Sequence, residues 1–201
     1  PESLAFSKDE VRRNMQPAYM GLVKQIDDHV GRVMAHLKNV GRLEDTMVVF
    51  TADHGDYQGD HWQGEKEFMY EQGVRVPFII ADPSEGSVRG AVCDELVEAI
   101  DLVPTFIEAL GQSLPTHLLE GHSLLPLLRG STSALRDAAF SELDFSIYPT
   151  ARKLGLKARE ARMVMTCTKR WKLVHFGKGF PPQLFDLVND PLELHDSGRD
   201  R

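Results

Sequence analysis

The chain has 201 residues, of which 42% are hydrophobic and 26% are charged. These fractions are ordinary for a globular protein and supply enough apolar side chains for a sizeable core. The 30 acidic residues outnumber the 23 basic residues, and the formal net charge is −7 with histidine neutral. We therefore expect no nucleic acid as a main partner, because no basic stripe is present to bind phosphates.

Membrane and compartment signals are few. No run of about 18 apolar residues occurs, so we expect no membrane-spanning helix. The two cysteines, Cys93 and Cys167, form neither a CxxC pair nor a short disulfide framework. This usage favours a reduced compartment, and we expect a cytoplasmic protein; one long-range disulfide is also compatible with it. Since the chain begins with Pro1 rather than Met, the lack of a signal peptide does not indicate a destination.

The first predicted element is an amphipathic helix from Pro17 to Val40, preceded by a polar loop or lead-in over residues 1 to 16. Gly41 is placed to end this helix. Apolar residues recur along it at intervals of three and four, which is the period of one helix face; they are Met20, Val23, Ile26, Val30, Val33, Leu37 and Val40.

Two short apolar runs predict buried strands. Residues 47 to 50 form a β-branched and aromatic run, typical of a strand covered on both faces. A second run extends from Val76 to Ala81, with Pro77 near its start, where a missing N–H costs little. Because a helix and a tight loop precede the first run, the pattern suggests an αβ unit of a parallel sheet.

The next part of the chain predicts short elements separated by polar residues. They are a turn over residues 82 to 89, a strand from Leu96 to Ile100, a helix capped by Asp101 that runs to Leu110, and a helix from His122 to Leu128. The composition changes at residues 130 to 133, Gly-Ser-Thr-Ser, where we place a subdomain boundary. Residues 1–130 and 131–201 are therefore predicted as separate domains.

The segment after this boundary predicts a small antiparallel sheet. Four short strands are expected, at residues 139–143, 163–167, 171–175 and 183–187. Lys169 and Arg170 lie between two of them and are suited to a turn.

Asp53 and His54 come directly after the first predicted strand. In open α/β sheets, ligands bind at the carboxyl ends of strands. A carboxylate oxygen and an imidazole nitrogen are both competent metal ligands, and Gly55 permits a sharp backbone path beside them. Lys66, in the following loop, can supply a compact positive charge to an anionic substrate. The alternative is structural, because Asp and Gly are also common turn residues and a loop lysine is often simply solvated.

A longer pattern surrounds this pair. It comprises residues 26–33 on the helix, Phe50-Thr51-Ala52-Asp53-His54-Gly55, Gly59-Asp60-His61, Lys66, residues 70–71, residues 73–77, residues 101–105, residues 184–187 and residues 189–191. Over about residues 18 to 195, the chain resembles the sulfatase and phosphonate monoester hydrolase family of the alkaline phosphatase superfamily. The stretch from Gly59 to Lys66 looks more like the phosphonate monoester hydrolases. The resemblance implies the C-terminal half of an alkaline phosphatase-like α/β sheet domain up to about residue 130, followed by a small antiparallel α+β subdomain.

The resemblance also implies roles for four residues. Asp53 and His54 match the family's late pair of metal ligands, where many sulfatases have Asp-Asn. Lys66 matches the lysine that contacts the substrate's sulfate, phosphate or phosphonate oxygens, and so has a binding and a catalytic role. His61 is a further substrate-binding candidate, with a role in ordering the loop as the alternative. The implied cofactor is one divalent metal ion, Ca²⁺ or Mn²⁺, since an imidazole ligand leaves transition ions open.

The function implied by the resemblance is metal-dependent hydrolysis of phosphonate monoesters or phosphodiesters, with a small anionic ester as substrate. Sulfatase activity is the close alternative, and a homo-oligomer is implied as well. The family's nucleophile is a Ser, or a Cys converted to formylglycine, in a C/S-x-P-x-R motif, and neither Cys93 nor Cys167 lies in one. We therefore expect this chain to be the C-terminal part of a longer enzyme and to be inactive alone.

Two rival interpretations lie outside this assignment. A non-catalytic relative, kept as a binding or assembly module, is disfavoured because Asp53, His54 and Lys66 are all present. A phosphomutase-type relative would require a mutase-specific insertion and a Ser nucleophile upstream of these residues.

Overall fold

The computed structural model describes residue 6 and residues 8–199, and it groups them into two compact units. The first unit is formed by Pro1–Phe68 and Gln72–Ser87, and the second by Met69–Glu71 and Val88–Arg201. The α-helices in chain order are α1 (Asp9–Asn39), α2 (Glu71–Val74), α3 (Leu102–Ala109), α4 (Leu125–Leu128) and α5 (Pro149–Lys153). The strands are β1 (Val48–Thr51), β2 (Phe78–Ala81), β3 (Ala139–Asp144), β4 (Arg162–Cys167), β5 (Trp171–Phe176) and β6 (Gln183–Asp186).

Helix α1 is longer than the sequence pattern predicts. It begins at Asp9 and contains Pro17, so the prediction of a loop is wrong over residues 9–16; residues 1–5 and 7 lie outside the described part. Acidic Asp9 and Glu10 in the first turn complement the helix dipole, and they support a helical start that apolar periodicity does not reveal. The end is as predicted: Gly41 has φ +69°, a left-handed conformation that favours glycine.

The apolar face of α1 is exposed within the described residues. Met20, Val23, Ile26, Val30 and Val33 are 37–61% exposed, and none of the residues of α1 is buried. The predicted helix is therefore confirmed, although the described residues do not cover its apolar face. Among the described helices, none combines the length and hydropathy needed to cross a membrane.

Strands β1 and β2 pair antiparallel, with Val48 opposite Ala81 and Thr51 opposite Phe78. The prediction of a parallel αβ unit is therefore wrong for these strands. A parallel pair needs a crossover that carries the chain back to the other end of the sheet. Here the chain instead leaves β1 and enters β2 at the same end, where Thr51 pairs with Phe78, so both ends of residues 52–77 lie there. The described residues also leave both strands less covered than predicted, with no buried residue in either.

The region from residue 96 to residue 128 contains short helices and turns. The predicted strand from Leu96 to Ile100 is wrong, because a 3₁₀ turn occupies Ala99–Asp101. Asp101 is fully buried, and its carboxylate accepts the Glu98 and His122 backbone N–H groups and the Arg136 guanidinium. A strand would separate these partners. The predicted helix after Asp101 is confirmed as α3, but the Asp101 side chain makes no capping hydrogen bond to it, and α4 confirms the shorter second helix in part.

The predicted four-stranded sheet is confirmed. Strands β3, β4, β5 and β6 lie in sequence order, and each neighbouring pair is antiparallel. One face of this sheet carries buried side chains, namely Met163, Met165, Cys167, Lys172, Val174 and Phe185. All four strands follow residue 130, but the predicted domain boundary there stays a prediction.

A buried ion network lies on this inner face. The Lys172 side chain is fully buried, and its Nζ lies 2.6 Å from Glu71 Oε1 and 2.6 Å from Glu193 Oε1. Glu193 Oε2 also accepts the Glu71 backbone N–H at 2.6 Å. Burial raises the pKa of Glu193, and the Lys172 charge opposes that shift. One ammonium therefore lies between two carboxylates and joins three segments of the second unit.

Substitution of this lysine should destabilise the protein strongly. Lys172→Met removes the cation between Glu71 and Glu193, and we expect the free energy of unfolding to fall by about 3–5 kcal/mol, the range for breaking a buried ion pair. Urea denaturation measures the change. Lys169→Met is the control, because Lys169 pairs with Glu95 at an exposed position and should cost less than about 1 kcal/mol. Equal losses in the two variants would contradict a buried network.

Candidate metal and anion site

Asp53 and His54 lie just beyond the end of β1, where both ends of residues 52–77 lie. The His54 backbone N–H donates to Asp53 Oδ1 at 3.0 Å, and His54 Nε2 lies 3.4 Å from Asp53 Oδ2. The first of these contacts is the main reason that the pKa of Asp53 is lowered. The Asp53 side chain is 84% exposed, so it presents an ionised carboxylate at the surface of the described unit.

The His54 ring is oriented by the residue that follows it. Nδ1 lies 2.8 Å from the Gly55 carbonyl oxygen, which assigns the ring proton to Nδ1. The lone pair of the neutral ring is then on Nε2. Metal-bound histidines typically show this arrangement, with the second nitrogen donating to a carbonyl or carboxylate.

Lys66 reaches the same ring nitrogen, since its Nζ contacts His54 Nε2. An ammonium has only donors, so it meets Nε2 as the acceptor, in agreement with the tautomer. Asp53, His54 and Lys66 are thus brought together, as the sequence predicts. Two potential metal ligands and one cationic group share a single surface site.

The loop that carries Lys66 folds back on itself. The Tyr57 N–H donates to the Glu65 carbonyl at 3.0 Å, and the Gly59 N–H donates to the Gln63 carbonyl at 2.9 Å. These two hydrogen bonds place residue 65 beside residue 57, at the start of the loop. Gly59 has φ +99°, and four residues other than glycine also have positive φ, namely Gln58, His61, Trp62 and Glu65. Left-handed backbone is costly outside glycine and clusters at functional sites.

His61 lies at the tip of this loop rather than at its base. It belongs to the 3₁₀ turn Asp60–Trp62, has φ +50° and is half-buried. The Gly59–Gln63 hydrogen bond lies between this turn and the Tyr57–Glu65 pairing that precedes Lys66. The predicted substrate-binding role of His61 stays a prediction.

Gly55 is required by close packing. Its N–H donates to the Gly73 carbonyl at 2.8 Å, and a Cβ at Gly55 would lie 1.9 Å from the Gln72 carbonyl oxygen. No side chain fits against backbone at that distance. Gly73 and the fully buried Tyr57 are thereby part of the support of the site. Sequence reasoning missed the packing role of Gly73, because neither periodicity nor turn chemistry signals a glycine needed for space.

The donor set fits part of a divalent-cation site. Asp53 offers an ionised carboxylate and His54 a lone pair on Nε2, which suit a transition ion or Ca²⁺. Within residue 6 and residues 8–199, no group of three or more His, Cys, Asp or Glu side chains could hold a metal ion. Asp53 and His54 by themselves could therefore supply at most two ligands of such a site.

Two protein-family models match the chain. The sulfatase model matches residues 1–112, and the C-terminal model of N-sulphoglucosamine sulphohydrolase matches residues 59–200. The multifunctional alkaline phosphatase superfamily protein PehA of Trinickia caryophylli is 35% identical over 90% of this chain and 36% of its own length. An arylsulfatase of Clostridium perfringens is 34% identical over 90% of this chain and 35% of its own.

The fold has close structural relatives as well. The crystal structure of phosphonate monoester hydrolase of Agrobacterium radiobacter matches with a TM-score of 0.87 and 34% identity, over 96% of this chain and 39% of that one. The chain thus spans about a third of the length of the curated relatives it matches. These matches confirm the predicted alkaline phosphatase-like α/β fold, and the chain belongs to the sulfatase and phosphonate monoester hydrolase family of the alkaline phosphatase superfamily.

Proposed function

We propose that the protein hydrolyses phosphonate monoesters and phosphodiesters with the aid of one divalent cation. The observation that carries this proposal is the meeting of Lys66 Nζ with His54 Nε2, the nitrogen that also lies 3.4 Å from the Asp53 carboxylate. A pair of cation ligands and a group that attracts anions therefore occupy one site. Such a site suits an anionic ester held by a metal ion and a lysine together.

In this proposal Asp53 and His54 hold the cation, either Mn²⁺ or Ca²⁺. When bound, the cation would supply positive charge that polarises the substrate's oxygens. The His54 backbone N–H lowers the pKa of the Asp53 carboxyl group, which favours its ionised form. His54 keeps a lone pair on Nε2 because its Nδ1–H is bound to the Gly55 carbonyl.

Lys66 binds the substrate's non-bridging oxygens. Its ammonium stabilises the negative charge that grows on them as the ester bond breaks. The lone pair of Nε2 accepts either an N–H or a cation, so a cation at His54 would leave the Lys66 donors to the anion. In this proposal the nucleophile lies outside these 201 residues, because the sequence contains no C/S-x-P-x-R motif.

We favour phosphonate monoesters over sulfate esters as the substrates of this protein for two reasons. The matched phosphonate monoester hydrolase structure covers 96% of the chain with a TM-score of 0.87. The sequence also has Asp-His at positions 53 and 54, whereas the family resemblance implies Asp-Asn at these positions in many sulfatases. Sulfatase activity is the second candidate, because the Clostridium arylsulfatase is 34% identical over a similar span.

A substrate panel tests the proposal. The whole protein that contains this chain, supplied with Mn²⁺ or Ca²⁺, is assayed with an aryl phosphonate monoester, an aryl phosphodiester and an aryl sulfate that share one leaving group. We expect the highest kcat/KM for the phosphonate monoester or the phosphodiester. A higher value for the sulfate would replace this proposal with the sulfatase candidate, and no turnover of any ester would refute both.

The role of Lys66 predicts a kinetic loss at constant metal content. Lys66→Ala removes one charged donor from the developing charge, and we expect kcat/KM to fall by about 10²–10³-fold, as for other transition-state donors. Lys24→Ala is the matched control, because Lys24 pairs with Asp28 on the exposed surface of α1. Steady-state kinetics with elemental analysis measure both quantities. Activity of Lys66→Ala equal to that of the control would remove Lys66 from the site.

A further inference from the structure

Gly73 lies where two supports of the candidate site meet. Its carbonyl accepts the Gly55 N–H at 2.8 Å, and the position of a Cβ on Gly73 would be 2.9 Å from Tyr57 Oη and 3.2 Å from the Phe68 carbonyl oxygen. Gly73 is buried and is not among the residues with positive φ. A glycine is therefore needed here for room, because the end of the Tyr57 ring fills the space a side chain would occupy.

Tyr57 is the buried member of this contact, with no exposed surface. Its backbone N–H donates to the carbonyl of Glu65, the residue before Lys66. The position of Tyr57 therefore fixes the position of Glu65 and, with it, that of Lys66.

Gly73 acts in the same way on His54. Its carbonyl fixes the Gly55 N–H, and the Gly55 carbonyl in turn accepts His54 Nδ1–H at 2.8 Å. The contact between the Tyr57 ring and Gly73 thus connects, through backbone hydrogen bonds, to the His54 imidazole on one side and to Lys66 on the other.

We propose that Tyr57 and Gly73 are positioning residues, whose contact holds the His54 ring and the Lys66 ammonium at a fixed separation for one anionic ester. This inference rests on the proposed function. A purely structural contact would contribute to stability alone. Here Tyr57 and Gly73 are also hydrogen-bonded, through their backbones, to the residues beside the two functional groups. A displacement of about 1 Å at a reacting centre can cost about 10²-fold in rate.

A double-mutant cycle tests the contact. Gly73→Ala places a methyl group against Tyr57 Oη, and we expect kcat/KM to fall by about 10²-fold. Tyr57→Phe removes that oxygen, and its own kcat/KM is measured as the third corner of the cycle. In the Tyr57→Phe/Gly73→Ala protein the closest contact is absent, so we expect at least about tenfold recovery over Gly73→Ala, a non-additivity typical of residues in contact. Wild-type activity of Gly73→Ala, or no recovery in the double variant, would overturn the proposal.

A second variant serves if Gly73→Ala does not fold. Tyr57→Leu keeps an apolar side chain but removes the ring from Gly73, and Phe185→Leu is the control, because Phe185 is a buried aromatic residue of the other unit. Long-range ¹H–¹⁵N spectra of the histidine rings, with His54 assigned from the His54→Gln spectrum, report the Nδ1 bond directly. At a comparable loss of Tm, Tyr57→Leu should shift the His54 signals and lower kcat/KM, and the control should do neither.

The two proposals fail in different ways. If the wild-type protein turns over no ester, the proposed function fails, while the His54 signals still test the contact. If the wild type is active but the signals and kcat/KM of Tyr57→Leu match those of Phe185→Leu, the positioning role fails alone.

Discussion

The hydrogen bond from the Gly55 N–H to the Gly73 carbonyl is the contact on which the candidate site depends. It brings two backbone segments so close that a Cβ at Gly55 would lie 1.9 Å from the Gln72 carbonyl oxygen. Because the backbone of residue 55 is fixed in this way, its carbonyl is a fixed acceptor for His54 Nδ1. The direction of Nε2, and with it the meeting with Lys66 and Asp53, follows from that one constraint.

Antiparallel pairing of β1 and β2 makes this contact possible. A parallel pair would carry the chain away from the end of β1, whereas pairing of Thr51 with Phe78 brings residues 52–77 back to it. A long segment then has to fold within a small space, and it does so with strained residues in its loop and glycines at its points of contact. Rigidity of this kind suits a site that must orient a carboxylate, an imidazole and an ammonium together.

Local patterns predict much of this fold and part of the site. The four strands after residue 138 and the end of α1 at Gly41 follow from alternation and turn chemistry, which act over a few residues. Long-range contacts were not predictable in this way. The alternation in β5 could bury either Trp171 and Leu173 or Lys172 and Val174, and the protein buries the lysine because Glu71 and Glu193 come from elsewhere in the chain to balance it. The start of α1, the direction of β2 and the turn at Asp101 depend likewise on charge or on distant partners.

The same distinction applies to the site. Asp53, His54 and Lys66 could be singled out by residue type and resemblance, but the support from Tyr57 and Gly73 exists only in three dimensions. The central claim is that Asp53 and His54 hold one divalent cation, and elemental analysis of the purified whole protein tests it most directly. We expect about one equivalent of Mn²⁺ or Ca²⁺ in the wild type and in His61→Ala, and a large loss in Asp53→Ala and in His54→Ala. Unchanged metal content in the Asp53 and His54 variants would contradict the account.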